Sequence, residues 1–350
     1  MISRFAAWLD TVDTGTHRRI KGLRLVTAYA IAAMMGALPA LSGGFAHGSS
    51  LGSLAGGFAL WASVSEGRSR RGDSTRDLFL LCLAAGVGAG MMIVLSPLLS
   101  GTGRPGPELT FVTGAFLVGY LKRFGILGAG LGSQIYIGQL LAYGAGLTFT
   151  DLPMVLVASL IASGASIVPR ILSGPAEHPI LAPAPAERAS GPLGSPAELI
   201  MGLQAATAAL VIVLLNDLIG LEEAAWAITA CTYVIGNSTA GTMERVHRRI
   251  VGTLIGVPLG IACLPLVTEA PMLVWSAAAL AMIIYAMALP ERYDIACGAY
   301  AFTLIVTLAI TGEHSVPLFL SRIWETIIGG ALGLSIAIFL LPLRAPGKTL

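Results

Sequence analysis

The chain has 350 residues, of which 55% are hydrophobic and only 11% charged, with a mean hydropathy of +0.81. A soluble domain of this size keeps about 25% of its residues charged to hold its surface in water, so the composition excludes a soluble globular protein and points to a membrane protein. A net charge of +2, with no basic tract carrying interleaved aromatics, excludes a nucleic-acid partner.

In chain order, residues 1–22 lack a continuous apolar core, and the basic run His17, Arg18, Arg19, Lys21 precedes the first long apolar segment, unlike a cleavable signal. Ile2, Phe5, Leu9 and Val12 fall at helical spacing, which suits a segment lying on the membrane surface. A spanning helix needs about 20 mostly apolar residues. Such runs occur at 24–41, 50–66, 77–98, 109–121, 124–147 and 152–169, then at 199–217, 224–240, 249–268, 271–289, 294–311 and 316–342. Only Lys122 and Arg123 separate the fourth and fifth. Residues 173–196 contain six prolines among Gly, Ala and Ser, a composition that builds neither core nor helix and reads as an extended cytoplasmic linker. The expected fold is therefore an all-α polytopic membrane bundle of about twelve helices. Its expected parts are a six-helix half (1–170), a Pro-rich linker (171–198) and a second six-helix half (199–350).

Charge supports the count and orients it. With the N-terminus cytoplasmic, that side collects Arg18, Arg19, Lys21 and Arg24; Arg68, Arg70, Arg71 and Arg76; and Lys122 and Arg123. It also collects Arg170, Arg188, Arg245, Arg248, Arg249, Arg292, Arg344 and Lys348. The opposite side has Arg104 and mostly acids: Glu108, Asp151, Asp217, Glu222, Glu223, Glu269 and Glu313. Dropping one helix scrambles this alternation, so an even number of spans with both ends inside is expected.

Two repeats are visible. Gly22-Leu23-Arg24 with Thr27-Ala28 matches Gly202-Leu203-Gln204 with Thr207-Ala208, and the short loop at Lys122-Arg123 matches Glu291-Arg292, as in a duplicated half. Within the second half, Arg249-Ile250-Val251-Gly252-Thr253-Leu254-Ile255-Gly256 through Gly260 resembles Arg322-Ile323-Trp324-Glu325-Thr326-Ile327-Ile328-Gly329 through Gly333. The first copy runs outward and the second inward, an inverted three-plus-three repeat of the kind transporters use. On that topology the two arginines lie toward opposite ends of the membrane. Gly252, Gly256 and Gly260, then Gly329 and Gly333, form GxxxG ridges that let helix backbones touch; Gly52/Gly56, Gly86/Gly90 and Gly128/Gly132 add others.

Arg322 lies about 9 Å inside the last span, with Glu325 one turn deeper. Charges at such depth face a cavity or a partner. Either the pair neutralises itself while Arg322 reaches outward, or Arg322 contacts an anionic substrate and Glu325 is proton-linked. Thr303, Thr307 and Thr311 share one helical face beside Tyr300, and Trp226, Thr229, Tyr233 and Asn237 share another. Each stripe suits either a polar route or ordinary interhelical contact. Arg245, His247, Arg248 and Arg249 mark the cytoplasmic start of the ninth span, with Arg249 at the mouth of a pathway. The four cysteines (Cys82, Cys231, Cys263, Cys297) sit in apolar runs without CxxC spacing, so neither a disulfide framework nor a metal site is expected, and no cofactor motif occurs. No span carries a His-Glu-x-x-His, Asp-Asp or Ser-His set, which argues against an enzyme.

Trp226-Ala227-Ile228-Thr229, then Arg248-Arg249-Ile250-Val251-Gly252-Thr253-Leu254-Ile255-Gly256, then Arg322 to Pro342, resembles the signature of the fusaric acid resistance (FUSC) family and is similar to the plant aluminium-activated malate transporters. In the first half Trp61 and Arg76 are counterparts, but the Gly-Thr-Leu core is absent. The soluble cytoplasmic domain of larger bacterial members has only the proline-rich linker in its place. The resemblance implies an inner-membrane exporter of aromatic or other organic acids, with Arg249 and Arg322 as pathway residues. A passive anion channel and an accessory subunit of an efflux system are the other readings. The expected partners are the lipid bilayer, a small organic anion, a second copy in a homodimer and a periplasmic adaptor protein.

Overall fold

A computed structural model describes residues 18–68, 70–100, 106–173, 196–219, 224–340 and 342–343. Ile2, Phe5, Leu9, Val12, His17, Arg104, Arg188, Glu222, Glu223, Arg344, Lys348 and linker residues 174–195 lie outside the described residues, as does the side chain of Asp217. Among the described residues the regular structure is helical, with no strand. The first six long helices are α1 (Arg18–Gly36), α2 (Leu51–Ser65), α3 (Arg71–Ser100), α4 (Thr110–Tyr120), α5 (Gly125–Gly144) and α6 (Leu152–Leu172). After the linker come α7 (Ala197–Ile219), α8 (Ala224–Val234), α9 (Thr239–Ala262), α10 (Pro271–Ala288), α11 (Tyr293–Ile310) and α12 (Val316–Phe339).

Among the described residues, seven helical segments are long and apolar enough to cross a membrane: Arg71–Leu99, Pro107–Gly144, Phe149–Leu172, Ala197–Asn216, Pro271–Ala288, Tyr293–Ile310 and Val316–Phe339. The second is a hairpin rather than one rod. A 3₁₀ turn at Leu121–Phe124 and the left-handed Gly125 (φ 74°) reverse the chain, a conformation that glycine adopts without a Cβ clash. Gly132 then packs against Leu117 and Val118 across the hairpin. The hinge at Lys122-Arg123 is thus a real turn. The remaining long helices miss the criterion for visible reasons: α2 and α8 have 15 and 11 residues, α1 opens with four cations, and α9 contains Glu244, Arg245, Arg248 and Arg249.

Helix starts differ most from the apolar runs where charged residues continue a helix out of the apolar zone. The helix α9 begins at Thr239, capped by Ser238 Oγ accepting from Gly241 N at 3.1 Å, ten residues before the apolar run. The helix α3 likewise starts at Arg71. Conversely α8 ends at Val234, which leaves Asn237 exposed beyond the helix and outside the stripe of Trp226, Thr229 and Tyr233.

Small residues set the packing. A Cβ at Gly256 would press on the backbone of Gly298, with Ala301 Cβ at 3.0 Å, and one at Gly260 would meet Ile305 Cβ at 2.7 Å, so α9 lies directly on α11. In the same way Gly329 faces Ala227 and Ala230, and Gly333 faces Cys231 and Val234, so α12 lies on α8. In the first half Gly138 meets Ala85 and Ala89, pressing α5 on α3, and Gly86 meets Ser159, pressing α3 on α6. The helices before and after the linker meet where Gly22 of α1 rests on Ile283 of α10 and Gly119 of α4 on Gly202 of α7. Where lipid supplies no hydrophobic drive between helices, such backbone approach provides the dispersion contact that does.

The charged ends are tied down. At one end Arg170, 2% exposed, donates to Ser74 Oγ (2.8 Å) and Arg68 O (3.3 Å), and Asp77 accepts from Arg68 (2.8 Å) and Arg76 (3.0 Å). The hydrogen bond from Arg68 to Asp77 holds the Arg68 guanidinium above the ordinary arginine range. Lys21 reaches Glu66 O (2.5 Å), Arg24 reaches Ser173 (2.6 Å), and Arg18 crosses to Glu291 of the second half (2.7 Å). At the opposite end the buried Asp151 pairs with His47 (2.9 Å) and accepts from Thr148 N and Oγ1.

Candidate functional site

Among α2, α5, α8, α10 and α11 lies a cavity of about 1630 Å³. At the end that carries Arg18 and Arg68 it is lined by Ser65, Glu244, Arg248 and Pro290; at the other end by Ser53, Gly144, Ala145 and Thr311. These residues stand at opposite ends of α2, α5 and α10–α11, so the cavity follows the bundle along its full height.

Its middle is aromatic. Trp226 of α8 stacks on Tyr300 of α11 (centroids 5.8 Å, planes 14° apart), and Trp61 of α2 meets Tyr300 and Tyr285 edge-on at 5.4 and 5.9 Å. On another wall Tyr136 and Tyr233 meet edge-on at 5.7 Å. Their hydroxyls are held: Thr229 donates to Ala225 O at 2.8 Å and receives the Tyr136 hydroxyl at 2.8 Å, while Tyr233 pairs with Ser133 at 2.8 Å. Fixed rings of this kind offer flat, low-entropy surface for an apolar or aromatic body.

Two guanidinium groups stand at the same level. Arg322 Cζ lies 5.1 Å and Arg249 Cζ 6.0 Å from the Trp226 ring centroid, within reach of cation–π attraction. The indole is locked between them, its N–H donating to Arg322 O (3.1 Å) and Thr326 Oγ1 (3.0 Å). Arg322 is 4% and Arg249 7% exposed, and both line the cavity. Glu325, fully buried, holds an oxygen 4.0 Å from Arg322 Nη1 and does not line the cavity.

The expectation that the two arginines sit at opposite ends is therefore corrected: both converge on one indole. The reason is the early start of α9. Arg249 lies ten residues, roughly 15 Å, into α9, and Arg322 six residues, roughly 9 Å, into a helix running the other way. Nor is Arg249 at a mouth; Arg248 is the residue there.

Of the other sequence-chosen residues, Trp226, Thr229, Thr303 and Thr307 all line the cavity, as does Thr311. The threonines of α11 donate to their own helix, Thr303 to Ala299 O (2.9 Å) and Thr307 to Thr303 O (2.8 Å). They present acceptor oxygens to the cavity, so attraction for an anion falls to the arginines. Gly252, Gly256, Gly260, Gly329 and Gly333 are at helix contacts, away from the lining. Sequence reasoning missed Tyr136, Tyr285, Tyr293 and Ser133, and used Trp61 only as a counterpart. For Tyr136 the available signal was its depth: a tyrosine in the middle of a span has no interface to sit at and needs an internal partner or a wet cavity, whereas Tyr285 and Tyr293 lie at helix ends and carried no such signal.

A model of the fusaric acid resistance protein-like family matches residues 208–336, the stretch that contributes Trp226, Arg249, Tyr300 and Arg322. Over that stretch, in the C-terminal part of the chain, the sequence is similar to this family, which supports membership. This partial match and the apolar helices together point to a membrane protein of transporter type. No match was found among curated proteins or among solved structures.

Proposed function

We propose that this protein exports organic-acid anions, carboxylates with a flat or apolar body, across a bacterial inner membrane. The observation that carries the reading is the full-height cavity whose middle combines fixed aromatic rings with two buried arginines. A carboxylate needs a cation once it leaves water, and its ring needs apolar surface; both are present at one level.

The proposal includes twelve spans with both termini cytoplasmic, the basic end of the bundle facing inward. It also includes two six-helix halves, each an inverted pair of triplets. Reciprocal packing supports this: α9 on α11 answers α12 on α8, and α1 on α10 answers α7 on α4. Glu325 would then couple transport to protons through Arg322. A passive channel is the second reading, favoured by the end-to-end lining.

The test is efflux of labelled benzoate from preloaded cells with and without a proton gradient. Export predicts loss of label that the protein accelerates and that collapses with the gradient. Gradient-independent loss assigns a channel, and no acceleration over a panel of aromatic and dicarboxylic acids removes the transport reading.

A further inference from the structure

The two arginines occupy matching places in matching helix pairs, and the places where the match breaks are informative. Gly256 against Gly298 and Ala301 corresponds to Gly329 against Ala227 and Ala230, and Gly260 against Ile305 to Gly333 against Val234. In this register Arg249 pairs with Arg322, but Gly252 stands where the second copy has Glu325, and Cys297 stands where it has Trp226. Arg322 thus has a carboxylate one turn along its own helix and an indole fastened to its carbonyl. Arg249 has a glycine and a small thiol at those points.

The surroundings of Arg249 follow from this. Its Nη1 donates to Tyr293 OH over a long 3.4 Å, and, unlike Arg322, it pairs with no carboxylate among the described residues. The nearest acidic residue on the facing helix, Asp294, is engaged by Arg292 at 2.9 Å. A guanidinium 7% exposed and lining a cavity, with no carboxylate beside it among the described residues, lacks the anion that makes such burial tolerable.

We infer that Arg249 is the anion anchor of the cavity, holding a carboxylate on the part of its guanidinium that lines the cavity, and that Arg322, charge-balanced by Glu325, is not. The inference rests on the transport reading and names its binding group. The planar fork of arginine matches a carboxylate. The Trp226 ring 6.0 Å away and Tyr300 behind it provide the wall for the ligand's flat body, so the ligand class is a monocarboxylate with an apolar or aromatic ring.

The test is calorimetric titration of the purified full chain in detergent with benzoate, with benzamide as the uncharged control. Arg249→Gln is expected to weaken benzoate binding at least tenfold, and Arg249→Lys, which keeps charge but not the fork, by less. The double variant Arg322→Gln/Glu325→Gln is expected to weaken benzoate binding clearly less than Arg249→Gln does, and benzamide should bind none of them measurably. Without ligand, Arg249→Gln should melt at or above the wild-type temperature, because it removes an uncompensated charge. Three results would overturn the assignment: Arg249→Gln binding benzoate normally, the double variant losing as much as Arg249→Gln, or Arg249→Gln melting well below wild type while Arg249→Lys does too. Inorganic phosphate competing with benzoate as well as cyclohexanecarboxylate does would overturn the carboxylate class. Wild type binding no carboxylate would instead remove the transport reading itself.

Discussion

Replacing Gly256 by alanine tests the helix contact on which the site is built. A Cβ there would fall on Gly298, with the Gly298 carbonyl carbon at 2.9 Å and Ala301 Cβ at 3.0 Å, where ordinary contacts lie near 3.5–4.0 Å. Backbone cannot rotate aside as a side chain does, so α9 and α11 must separate by several tenths of an ångström or more. Overpacking of this kind costs about 1–3 kcal/mol, offset by up to about 1 kcal/mol from the better helix propensity of alanine. The expected net destabilisation is about 1–2 kcal/mol. Gly164 of α6 is the control: a Cβ there meets nothing within 4 Å, so Gly164→Ala should be neutral or slightly stabilising. Unfolding of the detergent-solubilised variants by heat, read by circular dichroism, measures both. Since Arg249 lies two turns before Gly256 on α9, the same variant should also weaken ligand binding. Equal melting of Gly256→Ala and Gly164→Ala would refute the backbone contact and the register drawn from it.

Other outcomes follow from named contacts. Arg170→Ala removes donors to Ser74 and Arg68 O from a site 2% exposed and is expected to cost about 2 kcal/mol, read as a lower melting temperature with ligand affinity retained. Asp151→Asn breaks the pair with His47 and the capping box with Thr148, and should cost about 1–2 kcal/mol in the same assay. Tyr293→Phe deletes the long hydrogen bond to Arg249 and should weaken benzoate binding no more than about fivefold, the weight of one modest hydrogen bond. Trp61→Ala removes two edge-on aromatic contacts between the halves, each worth about 1 kcal/mol, and is expected to lower both melting temperature and efflux rate.

Much of the bundle was legible because a spanning helix must be long and apolar, and each apolar run overlaps a helix among the described residues, though runs such as 224–240 extend past the helix end. The glycine ridges were legible for a similar reason: with no Cβ at Gly252, Gly256, Gly329 and Gly333, close approach is the natural use. What sequence did not give was the depth of Arg249. Hydropathy ends a span at the first cluster of charges, whereas hydrogen bonding carries α9 back to Ser238, and that displacement of ten residues moves Arg249 from mouth to middle. The aromatic walls were hidden for another reason. Trp61, Tyr136, Tyr285 and Tyr300 come from four helices whose spacing along the chain says nothing about which faces meet. Arg322 was singled out for its depth, yet depth alone does not distinguish a cation balanced by Glu325 from one, like Arg249, left to face the cavity.

The most direct measurement of the central claim is counterflow in proteoliposomes. Vesicles loaded with unlabelled benzoate are diluted into labelled benzoate, and transient accumulation of label is followed for the wild type and Arg249→Gln. A transport route through this cavity predicts accumulation above equilibrium with the wild type and at least a tenfold slower rise with Arg249→Gln. Equal accumulation in both, in vesicles containing matched amounts of folded protein, would contradict a route that passes Arg249.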